Sequence, residues 1–347
     1  MVPLPLHARH VSDGATFGEL KGREVVERTA GIDEDRALRT GAALFDASAR
    51  EVVRLTGPDR VSFLQGMVTQ DVEGLSVGAV ADAALLTAKG AMVADARVVK
   101  RTDDLLLLTE PGYGPAVLGM LERYLISEDA ELSDATADFG QLSLVGPEAE
   151  ALAAHVLGLG PPAGATLRPF DASGATGWAL PQGLLLPGLD LLVLTEALGA
   201  VFDRLLAGGA SPVGFAAVEV LRVERGTPRF GADMDEKTIP LEAHLQRAIH
   251  YQKGCYIGQE VIARATFRGH VNRQLVGLRF GETTPAARTE LFAGDRRVGW
   301  VTSAVHSPRL GAIGLGYAHR DVAQPGTELS LAGGSGAARV EALPFPG

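Results

Sequence analysis

Glycine and proline are unusually frequent in this chain, and they limit the length of its regular elements. The sequence contains 43 glycines and 19 prolines among 347 residues, roughly half as many again as an average globular protein. Glycine weakens the interiors of helices and strands, and proline ends helices and is excluded from central strands. The composition therefore predicts many turns and short strands rather than a helical bundle.

A strand followed by Gly-Pro-acid and a helix occurs twice, about 90 residues apart. The first copy is 52–55 with Gly-Pro-Asp at 57–59, and the second is 142–145 with Gly-Pro-Glu at 146–148. Two interpretations stay open, namely two ordinary strand–helix corners or two related α+β lobes. The order of strands and helices after the first copy favours a mixed or antiparallel sheet.

The texture of the sequence changes after about residue 272. Short alternating segments separated by Gly, Pro and Asp predict a small β-barrel there. The predicted organisation is a loosely attached lead-in at 1–30, α+β lobes at 31–135 and 136–212, a helix-and-motif segment at 213–272, and the barrel at 273–347.

Charge and cysteine content narrow the possible functions. A formal net charge of −10 argues against general nucleic-acid binding. The single cysteine, Cys255, excludes an intrachain disulfide and a self-contained zinc or iron–sulfur site, and it suits a reducing compartment. Neither a signal peptide nor a membrane span is recognisable. We expect a soluble cytoplasmic protein, or a mitochondrial matrix protein if the source is eukaryotic.

Glu224 is the first candidate site residue. It ends a predicted helix at 214–225, beside the apolar Val223, and a buried carboxylate must be paired. Its partner is either a neighbouring arginine or a ligand with adjacent N–H donors on one edge, such as a pterin ring. The sequence does not choose between the two.

The motif Gln-Lys-Gly-Cys-Tyr-Ile-Gly-Gln-Glu at 252–260 is the second candidate. A predicted helix over 241–249 precedes it. The positive charge of Lys253 would interact favourably with the C-terminal dipole of that helix, and Gly254 is suited to the C′ position that follows the helix. If a new helix begins near Gln259, its N-terminus and Lys253 would favour the thiolate of Cys255. The alternative is an inert, buried cysteine.

A basic run and an isolated acid complete the candidates. The run is either a solvated face or an anion site for carboxylate tails or phosphates. Asp95 lies among apolar residues of a predicted strand, and points either to solvent or into a site. The basic residues of the run are Lys253, Arg264, Arg268, Arg273 and Arg279, with His270 and the single acid Glu260 among them.

Residues 253–260, with Arg264 and Arg268-Gly269 after them, resemble the signature of the YgfZ family of folate-binding proteins. These proteins are paralogues of the glycine-cleavage aminomethyltransferase (T-protein). The resemblance covers most of the chain. Further segments similar to the wider superfamily are 57–59, 63–66, 69–71, 221–242, 299–303, 307–308 and 314–317.

The resemblance implies an aminomethyltransferase-like fold, in which two ferredoxin-like α+β lobes and a C-terminal barrel form a three-lobed ring around a folate cavity. It implies tetrahydrofolate or a one-carbon derivative as the ligand. It further implies a role in iron–sulfur cluster assembly or repair and, through it, in tRNA modification. The expected partner is an iron–sulfur carrier or client protein, without a membrane or strong direct nucleic-acid binding.

The resemblance also assigns roles to residues. Glu224 matches the pterin-binding glutamate and Cys255 the functional cysteine, which can join a cluster only with ligands from a partner or from glutathione. Asp95 is the other candidate catalytic residue. The remaining expected folate contacts are Arg222, Lys253, Tyr256, Gln259, Arg264 and Arg268.

Two departures bear on the alternatives. The cysteine motif at 253–260 is not a feature of the aminomethyltransferases. Aminomethyltransferases carry two adjacent acids where this chain has Ala94-Asp95; if the first is catalytic, Ala94 removes it. The favoured function is therefore the folate-binding accessory protein. The alternative is an aminomethyltransferase that acts on a lipoyl-carried amine with tetrahydrofolate. An RNA-binding module rests on the basic run alone and lacks interleaved aromatic residues.

Overall fold

A computed structural model describes residues 1–162, 164–172, 174–181, 187–267, 269, 271–334 and 336–346. The chain forms two compact units, each built from separate stretches of sequence, and the predicted domain boundaries stay a prediction. The sheet unit contains Met1–Leu85, Ala94–Val218 and Gln252–Tyr256, and the barrel unit contains Leu86–Val93, Glu219–Tyr251 and Ile257–Gly347.

The helices are short, as the glycine and proline content predicts. None of those described combines the length and apolar character needed to cross a lipid bilayer, and the cytoplasmic location stays a prediction. The α-helices are α1 (His7–Ser12), α2 (Glu34–Thr40), α3 (Arg60–Met67), α4 (Gly114–Tyr124), α5 (Ala149–Leu157), α6 (Thr195–Ala207), α7 (Phe215–Glu224) and α8 (Gln259–Phe267). Turns of 3₁₀-helix span Thr136–Asp138, Pro240–Ala243, Gln246–Ala248, Arg320–Val322 and Ala332–Gly334.

The strands are also short and are numbered along the chain. Those before α7 are β1 (Thr16–Leu20), β2 (Arg23–Arg28), β3 (Ala43–Asp46), β4 (Glu51–Thr56), β5 (Val80–Leu86), β6 (Met92–Lys100), β7 (Leu105–Thr109), β8 (Glu131–Asp134), β9 (Phe139–Val145), β10 (Arg168–Ala172), β11 (Ala175–Pro181), β12 (Gly188–Leu194) and β13 (Ser211–Val213). Those after α8 are β14 (Arg273–Phe280), β15 (Glu290–Ala293), β16 (Arg296–Ser307), β17 (Gly311–His319), β18 (Glu328–Leu331) and β19 (Ala337–Glu341).

Two sheets form the core of the sheet unit, and their described pairings are antiparallel except for the parallel pair β3–β13. In the described part of the chain, one sheet has the order β5-β6-β7-β4-β8 and the other the order β10-β11-β12-β9-β3-β13. Apolar side chains of both sheets share one core cluster, with Val52 and Leu106 from the first and Phe139 and Leu192 from the second. Burying this shared layer holds the two sheets together.

The barrel unit contains a closed barrel in which the described strands follow the order β14-β17-β16-β15-β18-β19. Its interior is filled by alternate apolar side chains, among them Leu278, Leu291 and Val301. The predicted C-terminal β-barrel is confirmed.

The N-terminal lead-in is not loosely attached, so this prediction is wrong. Residues of this stretch form α1 and the antiparallel pair β1–β2. Leu4, Val25 and Val26 are buried in a small apolar cluster. The adjacent valines interrupt strict alternation, which explains why the sequence shows no strand period here.

The helix predicted over 241–249 is also absent, and two 3₁₀ turns take its place. His244 lies between them with a left-handed φ of 59°, which ends a right-handed helix. Its ring Nε2 lies 2.8 Å from the carbonyl oxygen of Leu275. This contact to the barrel outweighs the apolar spacing on which the helix prediction rested.

Gly299 on β16 is a sharp test of the barrel geometry. A Cβ added there would collide with the backbone carbonyl oxygen of Tyr317 on β17, whereas one added at Gly281 meets nothing within 4 Å. We expect Gly299→Ala to lower the free energy of unfolding by about 1–3 kcal/mol, measured by urea unfolding. Gly281→Ala is the matched control, and equal losses in both variants would contradict the described strand pairing.

Candidate active site

Asp95 lies on β6, where buried and half-buried residues alternate. Ala94 is 1% exposed on one face of the strand, so Asp95 projects from the opposite face, which is the face of Arg97. The Oδ1 atom of Asp95 is buried and has no hydrogen-bond partner among the described residues. The strand thus holds a carboxyl group away from water with one oxygen unsatisfied.

Acidic neighbours make ionisation of this carboxyl group still less favourable. Burial raises the pKa of Asp95 to about 7, and the negative charges of Glu110 and Asp82 add to the rise. The backbone N–H of Asp95 and the guanidinium of Arg50 oppose it. Arg50 is itself engaged, since its Nε lies 3.4 Å from a carboxylate oxygen of Glu110.

The rest of this face is a network of paired charges within the sheet unit. Arg97 Nη1 lies 2.7 Å from Asp190 and Arg97 Nε lies 3.7 Å from Asp82. The hydroxyl of Ser143 donates to Asp190 at 2.5 Å. Because these neighbours are paired with one another, the face is rigid and can hold Asp95 in one position.

Glu224 is the last residue of α7 and is 2% exposed. The Ser307 hydroxyl donates to its Oε1 at 2.5 Å, and Arg309 Nη2 lies 3.6 Å from its Oε2. The backbone N–H of Phe345 donates to its carbonyl oxygen at 3.0 Å. The barrel therefore fixes this carboxylate on several sides, and its arginine neighbour comes from the turn between β16 and β17 rather than from α7.

Arg222, two residues earlier on α7, has all five N–H donors engaged by protein. Burial alone would lower the pKa of Arg222, but Asp233 and Glu219 outweigh it and raise it. No donor is left over for a folate, so this geometry disfavours the predicted cofactor contact. The acceptors are Glu219 at 2.7 Å to both Nε and Nη2, Asp233 at 2.6 Å and Thr227 O at 3.2 Å to Nη1, and Ser303 Oγ at 2.7 Å to Nη2.

Lys253 acts as a clamp within the sheet unit. Its ammonium group donates to the backbone carbonyls of Gln65, Val68 and Gln70 at 2.6, 2.7 and 2.7 Å, and it lies 5.1 Å from the ring centre of Tyr256. Burial lowers the pKa of Lys253 to about 8, although nearby acids oppose this. The ammonium thus satisfies the carbonyls at the end of α3, and no helix ends at Lys253 itself.

The other predicted site residues are more dispersed. Cys255 is exposed in the sheet unit, so it is not an inert buried thiol. Helix α8 begins at Gln259, as predicted, and carries Arg264 exposed near its end. Arg268 and His270 lie outside the described residues. Asp95, Lys253 and Cys255 belong to the sheet unit, whereas Glu224, Arg222, Gln259 and Arg264 belong to the barrel unit.

Sequence reasoning missed the charges that surround Asp95. Arg50, Asp82 and Glu110 come from different strands or strand ends, far apart in sequence, and form no motif. The one available signal was that charged residues occur at or beside the ends of apolar strands.

Replacing Asp95 with asparagine should stabilise the protein above neutral pH. The native carboxyl binds its proton at pH about 7, the unfolded one at about 4, so native stability falls as pH rises between these values. We expect Asp95→Asn to gain about 1–2 kcal/mol at pH ~8.5 and less at pH ~5, measured by urea unfolding. Asp103→Asn, in an exposed turn, is the control, and an equal gain at both pH values would contradict the elevated pKa.

Comparisons with known proteins cover nearly the whole chain. The GCVT N-terminal domain family matches residues 6–172, and the glycine cleavage T-protein C-terminal barrel domain family matches residues 273–346. The aminomethyltransferase of Rubrobacter xylanophilus is 32% identical over 98% of this chain and 93% of its own length. That of Listeria monocytogenes is 28% identical over 95% of this chain and 93% of its own.

A solved structure gives the same answer. The glycine cleavage system aminomethyltransferase T from Bartonella henselae superimposes with a TM-score of 0.88 at 25% identity, covering 99% of this chain and 98% of that one. The predicted aminomethyltransferase-like fold class is therefore confirmed.

These findings correct the favoured function. A folate-binding accessory role in iron–sulfur assembly is contradicted, because the full-length relatives are aminomethyltransferases. Iron–sulfur partners and tRNA modification have no support, and the narrower YgfZ assignment is not shown. The tetrahydrofolate-type ligand is confirmed at the level of the family, since aminomethyltransferases use tetrahydrofolate. The chain belongs to the aminomethyltransferase family of the glycine cleavage T-protein.

Proposed function

We propose that this chain is a glycine-cleavage-type aminomethyltransferase, which moves a one-carbon unit from a lipoyl-carried amine to tetrahydrofolate. The observation that carries the proposal is the desolvated carboxyl group of Asp95, with a buried, unsatisfied oxygen and a pKa of about 7. Similarity to aminomethyltransferases over 98% of the chain supports the reaction class.

The transfer requires a group that both takes up and releases protons. The methylene carbon gains bonds to two folate nitrogens and loses its bonds to the amine nitrogen and the lipoyl sulfur. Two N–H protons leave the folate, and the departing amine and thiol each take up one. A carboxyl group with a pKa near 7 is present in both protonation states at neutral pH, which is the condition for efficient general acid–base catalysis. We assign this proton transfer to Asp95.

Ala94 does not remove the catalytic acid in this proposal. Its side chain is 1% exposed and points to the face of β6 opposite to Asp95. A carboxyl group at position 94 would lie among apolar side chains without the charged neighbours that tune Asp95. The geometry therefore supports the second of the two positions as the functional one.

Glu224 is the proposed pterin-binding residue. A carboxylate can accept two parallel hydrogen bonds from the adjacent N–H groups of a pterin edge. Such recognition requires a fixed acceptor, and the Ser307 hydroxyl bond at 2.5 Å supplies it. Burial to 2% exposure strengthens each such bond, because water does not compete for the carboxylate.

The other residues predicted to contact folate fall into two groups, according to whether protein groups already engage their donors. Arg222 and Lys253 are positioning residues in this proposal, because their donors hold acidic side chains and backbone carbonyls. Tyr256, Gln259 and Arg264 stay predictions as folate contacts. Cys255 has no part in the proposed reaction. Lys253 holds three backbone carbonyls, so this residue of the 253–260 motif has a structural role. That role would serve an aminomethyltransferase as well as a YgfZ-type protein.

The direct test is formation of methylene-tetrahydrofolate from an aminomethylated lipoyl carrier protein. We expect Asp95→Asn to lower kcat by about 10²–10⁴-fold while tetrahydrofolate still binds, because only the proton transfer is lost. Asp103→Asn is the matched control and should keep the wild-type rate. Wild-type turnover by Asp95→Asn, or no turnover by the wild-type chain, would refute the proposal.

A separate binding measurement distinguishes the role of Glu224 from that of Asp95. Glu224→Ala should weaken tetrahydrofolate binding by about 1–3 kcal/mol, since pterin donors lose their acceptor. Calorimetric titration measures this loss, with the exposed Glu282→Ala as the control. Unchanged affinity in Glu224→Ala would reject the role of Glu224 without touching that of Asp95.

A further inference from the structure

A cleft on the barrel unit is lined by none of the residues proposed for one-carbon transfer. Its volume is about 530 Å³, within the range of small-molecule sites. Every residue that lines it belongs to the barrel unit. The charged and aromatic lining residues that the argument uses are Lys237, Arg273, Arg288, Arg297, Asp235 and Trp300.

Two of the four cations in this cleft are already neutralised. The guanidinium of Arg273 donates to Glu242 at 2.9 and 3.1 Å, and Arg297 Nε lies 2.9 Å from Glu290. Both side chains are thereby held in place, and they contribute donors to the wall of the cleft with little net charge.

The other two cations have no acidic partner among the described residues. Lys237 and Arg288 are both exposed and form no ion pair there. Asp235, the acid of the lining, accepts instead from the backbone N–H of Lys237 at 2.9 Å and from the Thr238 hydroxyl at 3.1 Å. In a chain of net charge −10, the cleft therefore presents a local excess of positive charge.

Arg288 is held in an unfavourable backbone conformation. Its φ is +69°, a region that side-chain-bearing residues rarely adopt. Hydrogen bonds fix the turn, with the Arg288 N–H donating to Val301 O at 2.7 Å and the Val301 N–H to Thr289 O at 2.9 Å. Glycine would adopt this conformation at a lower cost, so an arginine here lowers the stability of the fold. The presence of an arginine at this position therefore points to a role other than stability.

Trp300 provides an aromatic wall. The Arg273 guanidinium lies 4.9 Å from its ring centre, and the Tyr317 ring lies 5.2 Å away, so the indole is held rigidly. Trp300 precedes Ser307, the partner of Glu224, by seven positions on β16, roughly 20 Å of extended strand. The cleft is therefore distinct from the proposed pterin contact.

We propose that this cleft binds a small organic or inorganic dianion, with phosphate or carboxylate oxygens between Lys237 and Arg288. Lys237 and Arg288 have no acidic partner among the described residues and outnumber Asp235, the one acid of the lining. Their ammonium and guanidinium donors match phosphate and carboxylate oxygens. The site uses none of the residues proposed for one-carbon transfer, so the two proposals stand or fall separately.

Tryptophan fluorescence can report on this site directly. The chain has two tryptophans, Trp178 and Trp300, so Trp178→Phe leaves only the indole of the cleft. Inorganic phosphate and succinate, both dianions at pH ~8, are titrated separately at constant ionic strength. We expect saturable emission changes; a response to phosphate alone or to succinate alone also supports the proposal and identifies the oxygen donor.

Two variants and one control decide the assignment. In the Trp178→Phe background, Lys237→Gln and Arg288→Gly should each weaken dianion binding at least tenfold, whereas Arg123→Gln, an exposed charge in the sheet unit, should not. Arg288→Gly should also raise the thermal midpoint, which separates lost binding from misfolding. No saturable response to either dianion, or equal affinity in all three variants, would overturn the proposal.

Discussion

The desolvation of one carboxyl group, that of Asp95, is the constraint on which this account depends. The alternation of β6 places Asp95 on a face shared with Arg97, while Ala94 fills the apolar side. Removing a carboxylate from water is costly unless it is paired, and here one oxygen has no partner among the described residues. The surrounding ion pairs supply the rigidity that keeps the group in place, and the sheet-to-sheet core supplies the stability that offsets its cost.

Other buried charges in the chain show a different pattern. Arg222 has every donor satisfied, and Lys253 meets three carbonyl oxygens. A fully satisfied charge holds neighbouring segments together, whereas an unsatisfied one with a pKa near neutrality can exchange protons. This difference, rather than burial itself, separates the positioning residues from the proposed catalytic one.

The sequence was informative where local pattern determines structure. The barrel strands, the helix ending at Glu224 and the helix beginning at Gln259 follow from alternation, apolar spacing and glycine position. It failed where distant contacts decide, as at His244, whose bond to Leu275 replaces a helix with two short turns. The hairpin β1–β2 was missed because adjacent valines hide its period.

The candidate site shows the same division. Asp95 and Glu224 could be singled out as charges in apolar surroundings, but the neighbours that tune Asp95 come from separate strands and leave no motif. The functional error has a related cause. An eight-residue motif outweighed resemblance along the rest of the chain, whereas that motif contains Lys253, whose described contacts are structural.

The pKa of the Asp95 carboxyl group is the quantity that tests the account most directly. Carbon-13 NMR of protein labelled at the aspartate carboxyl carbon, with Asp95→Asn to assign the resonance, follows its titration through neutral pH. The account predicts a midpoint at pH about 7. A midpoint near the ordinary value of about 4 would show a solvated, paired carboxylate and would contradict the proposed role of Asp95.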